Sequence, residues 1–338
     1  MSSRLRDYEI TVGSASEVFG GDPSQLKRSA TASVVTNLQI EGSVSVSNDY
    51  TNTQSDMAQF KIYNLSSALK DQFKIPGAAI MIRAGYTDSS KRDESGEIIR
   101  DAEDLPVVYV GTIIHTTTTR RGNDVVTVVY ASSDKLERAM IKTSNAFAPG
   151  VPVTAVIEYF LSLINMPRAH IDLSSVASNA YSGGLSVYGN AFAELQRVCS
   201  EWKLKLFVHD KQINIVPAVP NEKSTVEVWD IYSGDILDVP EQTYERTQTR
   251  EKVLKSGKTP AVKELKPGEV LTVEDGLRTV TKNGLNFSVP LDGRIKVGHY
   301  VRLNDIGDVT GVYRVEKLSH SFTYIGGSWS TSLETIPV

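Results

Sequence analysis

The chain has 338 residues, a length that at roughly 150 residues per domain predicts two domains or three. Apolar residues make up 40% and charged residues 22%, ordinary globular values that exclude a disordered polyampholyte. A net charge of -4 argues against a dedicated nucleic-acid reader, and a single cysteine, Cys199, excludes a disulfide framework within the chain and a cysteine-rich zinc site.

The first ten residues are polar and carry no secretory apolar region, and no 18-residue apolar run follows them. The first 138 residues then read as β-rich, with strands expected at 5–12, 38–47, 58–63 and 79–84. The clearest element is a long hairpin, VVYVGTIIHTTT at 107–118 returning as VVTVVYA at 125–131. Val, Ile, Thr and Tyr fit a pleated surface, and Gly122 and Asn123 between the arms tolerate positive φ. Val125, Thr127 and Val129 point one way; Val126, Val128 and Tyr130 point the other. Apolar residues on both faces predict a central strand inside a core, or a strand whose second face meets another subunit. Leu65, Leu69 and Phe73 fall at i, i+4 and i+8 and predict a short helix over 65–73. Residues 87–105 carry seven acids against three bases, which predicts an exposed acidic insertion, solvated or in contact with a neighbour.

From about 139 to 225 the period changes. Pro152 suits the first position of a helix whose stripe is Val153, Val156, Ile157, Phe160, Leu161 and Ile164, stopped by Met166-Pro167. Asn190 is a good N-cap for a second helix with the stripe Phe192, Leu195, Val198, Cys199 and Trp202. Cys199 on that stripe reads as a small buried hydrophobe, not a nucleophile. A strand at 204–208, a turn at 209–212 and a strand at 213–216 complete an α+β module.

Residues 226–338 return to β, with strands expected at 226–229, 270–273, 285–289, 300–303, 311–318 and 329–334. Residues 246–266 hold seven bases and two acids with no apolar period, and predict a basic loop. Without interleaved aromatics it does not read as a phosphate-contacting arm. Arg250, Lys252, Lys255 and Lys258 are instead the candidate contacts with a neighbouring protein.

No catalytic constellation is legible. His115, His170, His209, His299 and His320 form no close ligand pair, so no metal site is expected. A G-x-S-x-G elbow and a phosphate-binding glycine loop are both missing from the sequence. The clustered carboxylates Asp101, Glu103 and Asp104 fall in the acidic insertion, where a general acid with a raised pKa is hard to build. Neither a cofactor nor a small-molecule substrate is expected.

Three stretches resemble the baseplate (tail) hub proteins of bacteriophages. The segment AQFKIYNLSSALKDQFKIPGAAIMIRAGY at 58–86, continued after the insertion by VYVGTIIH at 108–115, is similar to the family's first barrel. The middle module resembles its α+β insert. Residues 295–303, IKVGHYVRL, then GVYRV at 311–315, His320 and WSTSLE at 329–334 are similar to its C-terminal phrase. Read physically, the family-phrase residues are structural. Gly298 is expected in a turn conformation that a Cβ hinders, Tyr313 shares a strand face with Val315, and Trp329 brings apolar area with an N–H handle.

The resemblance implies a mainly β fold with an α+β insert: two tube-like β-barrel domains flanking a small helix-and-hairpin module. The implied domains are 1–138 (with the acidic insertion 87–105), 139–225, and 226–338 (with the basic loop 246–266). It further implies a non-enzymatic homotrimer on the tail axis. Six barrels would match the sixfold tail tube and hand over to a threefold central spike. The implied partners are the tail tube protein, the spike protein, other baseplate proteins and the tape-measure protein, with DNA passing unbound through the channel. A mildly acidic chain is compatible with a non-adhesive lumen. The expected location is the virion, in a contractile tail, after assembly in the host cytoplasm. Because the sequence ends at Val338 after the second β region, a separate spike subunit is expected. The alternatives are another tail component, a tube or wedge protein, and a cell-wall hydrolase on a β scaffold.

Overall fold

The computed structural model describes residues 4–19, 31–47, 56–88, 105–133, 141–220, 228–254, 273–306 and 309–338; at 4, 16, 19, 244–254 and 273–283 it describes the backbone alone. The N-terminal part contains β1 (Arg4–Gly13), α1 (Ala15–Phe19), β2 (Ser33–Val35), β3 (Ile40–Ser47), β4 (Asp56–Tyr63), α2 (Ser67–Phe73), β5 (Ala79–Asp88), β6 (Val107–Arg121) and β7 (Asp124–Ser132). The middle contains β8 (Lys142–Phe147), β9 (Val151–Pro152), α3 (Val153–Ile164), β10 (Arg168–Ile171), β11 (Ala180–Tyr181), β12 (Leu185–Asn190), α4 (Ala191–Glu201), β13 (Leu204–His209) and β14 (Gln212–Pro217). The C-terminal part contains β15 (Val228–Tyr232), β16 (Glu241–Leu254), β17 (Val273–Pro290), β18 (Tyr300–Asn304), β19 (Gly311–Thr323) and β20 (Trp329–Pro337). The protein is thus mainly β with a small helical insert.

The N-terminal and C-terminal strands are hydrogen-bonded into one 13-stranded sheet, whose path runs β16-β17-β20-β19-β3-β4-β7-β6-β5-β1-β2. The link is the antiparallel pair β3–β19, in register from Lys317↔Ser47 to Thr323↔Glu41. β18 joins β19, and β15 lies parallel to β18. A glycine makes the link compact. A Cβ on Gly42 would come within 2.3 Å of the Phe322 ring, which stacks on Phe60 at 6.1 Å. The N-terminal end of the sheet curls back on itself. The Tyr8 hydroxyl donates to the Leu38 carbonyl at 2.6 Å and accepts from the Leu38 N–H at 2.8 Å, tying β1 to the chain entering β3. One apolar cluster accordingly runs from Tyr8, Ile10 and Phe60 through to Phe322, Trp329 and Leu333.

Local chemistry accounts for the helices. In α2, Ser66 caps the N-terminus by accepting from the Leu69 N–H at 3.3 Å, and Phe73 is buried. Pro152 stands one position before the first residue of α3, as its N-cap, and Asn165 ends that helix in the left-handed region at φ 51°. The Asn190 side chain accepts from the Ala193 N–H at 3.0 Å and starts α4. α3, α4 and the inner face of β13–β14 form a second apolar cluster around Val156, Phe160, Leu195, Val198, Cys199 and Ile215.

Two loop expectations need correction. Residues 246–254 are not loop: they belong to β16, paired residue for residue with β17 from Glu241↔Asn286 to Leu254↔Val273. The strand was hidden from periodicity because its sequence, EQTYERTQTREKVL, shows no apolar alternation. Residues 255–266 lie outside the described residues. In the acidic insertion, Thr87 and Asp88 close β5 and Leu105 is buried, while 89–104 lie outside the described residues.

Candidate functional site

Of the residues marked in the C-terminal phrase, Trp329 is 3% exposed and lies where the two ends of the chain meet. Its indole N–H donates to the Gly85 carbonyl on β5 at 3.1 Å, its ring meets Phe322 edge-on at 6.2 Å, and the Arg6 guanidinium stands 5.7 Å from it. Gly298 has φ +89°, and a Cβ there would press on Phe207 at 3.3 Å. Tyr313 packs against the main core and Val315 lies within it. Arg250 and Lys252 sit in the β16 ladder opposite Leu277 and Asp275, away from the three residues above in the fold's hydrogen-bonding order. Lys255 and Lys258 lie outside the described residues.

The structure assembles a polar site that the sequence did not disclose. It lies between the middle module and the sheet, and the β13–β14 hairpin builds it. Alternation sends Leu204, Leu206, Val208, Ile213 and Ile215 into the module's core. Lys205, Phe207, His209, Asn214 and Val216 fall on the opposite face, and Phe207 and Val216 belong to the main core. The hairpin is therefore a wall shared by two cores.

Each end of that wall is fixed by charge. At the open end, Arg314 of β19 is 1% exposed. It donates to the carbonyls of Pro217 at 2.6 Å and Ala218 at 2.9 Å and to Glu316 at 2.8 Å. Lys205 also pairs with Glu316. At the turn end, Lys296 donates to Asp210 at 2.6 Å and to the Val107 carbonyl of β6 at 3.0 Å, joining three separate segments. Burial raises the Asp210 carboxyl's proton affinity, but its interactions with His209 and Lys296 outweigh it and hold the group below its ordinary value.

Four histidines gather around this pair. A cavity of about 400 Å³ is lined by His170, His209, Asp210, Asn214, Lys296 and His299, among others. His320 of β19 is fully buried and interacts electrostatically with Lys296, His209 and Asp210. Burial, reinforced by Lys296, pushes His209 and His299 down to about 4 and His320 down to about 3. All three imidazoles are neutral at pH 7. Their spread along the sequence, from 170 to 320, is why spacing gave no sign of them; the one local signal was the turn at 209–212.

Nothing in this arrangement resembles an activated nucleophile. Among the described residues no group of three or more His, Cys, Asp and Glu side chains is placed to hold a metal ion. The Cys199 thiol is buried on α4, and burial pushes it up to about 12, so it is inert at neutral pH. What the arrangement does supply is buried charge that locks two layers together.

Outside this junction the surface carries apolar residues that a single chain leaves uncovered. Tyr232, Leu237 and Val239 are 52%, 57% and 84% exposed along the segment entering β16. On β7, Val128 and Tyr130 are only half-buried although the strand is central.

No protein-family model and no curated protein matches the chain. The fold, by contrast, is shared with solved structures along its whole length. A 43 kDa tail protein of prophage MuSo2 from Shewanella oneidensis aligns with TM-score 0.56 and 9% identity, over 97% of this chain and 98% of that one. The tail protein from Neisseria meningitidis MC58 aligns with TM-score 0.55 and 10% identity, over 97% and 96%. A chain of the half-lidded PdpA–VgrG complex of Francisella aligns with TM-score 0.50 and 10% identity, over 100% of this chain and 59% of that one. The chain has the fold of these proteins.

Proposed function

We propose that the chain is a structural protein of a bacteriophage tail: the baseplate hub that joins the sixfold tail tube to the threefold central spike. One observation carries the reading. The fold is matched end to end by a prophage tail protein, 97% of this chain against 98% of that one, and not merely over a common module.

On this reading the chain acts as a homotrimer and lines the DNA channel. Domains 1–138 and 226–338 supply the two tube-like barrels, and 139–225 the module between them. Two physical features favour assembly. From 243 outward, β16 and β17 pair only with each other, because β20 meets β17 over 285–290 alone. An isolated two-stranded hairpin is marginally stable in water, so this ribbon needs a surface to lie on. The exposed Tyr232, Leu237 and Val239 at its root offer apolar area for the same contact. Arg250, Lys252, Lys255 and Lys258 are proposed to touch a neighbouring baseplate protein. The other partners are the tube, spike and tape-measure proteins, in a virion with a contractile tail, and the role is not enzymatic.

Native mass spectrometry, alone and with tube or spike protein, tests the trimer; monomer in every mixture at high concentration sinks it. Electron microscopy of tails separates the alternatives. Threefold density on the axis supports the hub, and stacked sixfold rings make the chain a tube protein. Clearing of cell walls in zymography by purified protein, abolished by altering a buried carboxylate, would replace the structural reading with a hydrolase.

A further inference from the structure

The turn end of the β13–β14 wall holds more titratable groups than a static joint requires. One carboxylate, Asp210, faces one ammonium, Lys296, at 2.6 Å. The imidazoles of His209, His299 and His320 surround them, and His170 lies on the outer side of the cavity. Other charges near the cluster are few. Lys211 is the half-buried second residue of the turn, Asp172 acts on His170, and Asp292 and Arg294 pair with each other beside Trp229. Asp210 already balances Lys296. A proton added to any of the imidazoles therefore places an uncompensated cation in a buried site.

The bonding at the turn is poised for such a change. His209 Nε2 lies 3.6 Å from Asp210 Oδ1, too far for a hydrogen bond, and both atoms are buried without a partner among the described residues, as is His320 Nε2. The Trp229 indole N–H, a donor only, reaches His299 Nδ1 at 3.2 Å. That imidazole must accept there, so protonating Nδ1 breaks the bond. The two turn residues, Asp210 and Lys211, hold left-handed backbones at φ 50° and 59°. Such conformations persist in non-glycine residues where surrounding contacts enforce them.

We infer that this turn is an acid-released latch: on acidification it parts from the Lys296–His299 segment while the opposite end of the hairpin stays clamped by Arg314. The contrast between the ends is chemical. The open end is held by a guanidinium on main-chain carbonyls, whereas the turn end gathers imidazoles that gain charge. The sign follows from the lowered imidazole affinities. With ordinary values at 6.5 and closed-state values of about 4 for His209 and His299, the open state binds more protons below pH 6.5. Closure is fully favoured above pH 6.5 and is lost as the pH falls toward 4.

Hydrogen exchange read by mass spectrometry from pH 7.5 to 4.5, corrected for intrinsic rates, tests this on the whole protein. Peptides covering 204–217 and 291–300 are expected to exchange about tenfold faster at the acidic end, while peptides covering 79–88 keep their protection. Asp210→Asn is expected to produce the released pattern already at pH 7.5, and His209→Phe to move the release to lower pH. The wild-type series decides by itself should either variant fail to fold. Retained protection of 204–217 at pH 4.5, or its loss together with 79–88, overturns the latch.

Discussion

Trp329 shows how one side chain can hold together strands that are distant in sequence. Its N–H reaches Gly85, and its ring packs beside Phe322 and under Arg6. Truncation to Ala would remove a buried aromatic and leave the Gly85 carbonyl without that donor, a loss of about 3–5 kcal/mol. Trp329→Phe keeps most of the apolar contact and loses the hydrogen bond, about 1–2 kcal/mol. Denaturant unfolding of the two variants is expected to rank them in that order. The need for a large apolar residue with an N–H handle was legible in the sequence; its partner was not, because nothing local places residue 329 against residue 85. The histidines make the same point more sharply. Each of them reads as an isolated imidazole, and only the packing of the hairpin turn against the sheet brings them together.

At the scale of elements, the legible parts were those whose burial follows a period. α3 and α4 announced themselves by apolar stripes, and β6 and β7 by β-branched runs around a Gly-Asn turn. β16 was missed because its sequence shows no apolar alternation, and the β3–β19 link was missed because pairing across 270 residues leaves no local trace. The β13–β14 hairpin carries the element-scale prediction. Its open end is fastened by Arg314, a buried guanidinium that gives hydrogen bonds to two main-chain carbonyls and a carboxylate. Arg314→Met keeps volume but takes the guanidinium from those carbonyls and from Glu316, which still pairs with Lys205, at a cost of about 3–5 kcal/mol. Thermal unfolding should show the loss. Proteolysis should show first cleavage in 217–220, where the released carbonyls lie, before any cut in β3 or β5.

At the scale of the whole molecule, two large apolar cores share one wall, and the β16–β17 ribbon runs on past the β17–β20 pairing. Beyond Thr243↔Gly284 the ribbon extends about 36 Å at ~3.3 Å per residue, longer than a small domain is wide. A two-stranded ribbon is marginal by itself in water, so its stability must come from what it lies against. Excising 244–283 and joining Thr243 to Gly284 through an Asn-Gly turn removes the outer β16–β17 ladder and keeps the remaining strand pairs of the main sheet. The shortened chain is therefore expected to melt within a few degrees of the parent, since the β17–β20 ladder and the core residues Leu285, Phe287 and Val289 are kept. It is expected to fail in the assembly reaction, read as loss of the trimer in native mass spectrometry and of infectious tails in complementation. If the shortened chain melts far below the parent, the ribbon is part of the fold's own stability, and its polar sequence must then be explained from within one chain. If it melts like the parent and still assembles, the apolar surface at Tyr232, Leu237 and Val239 is left to carry the contact alone.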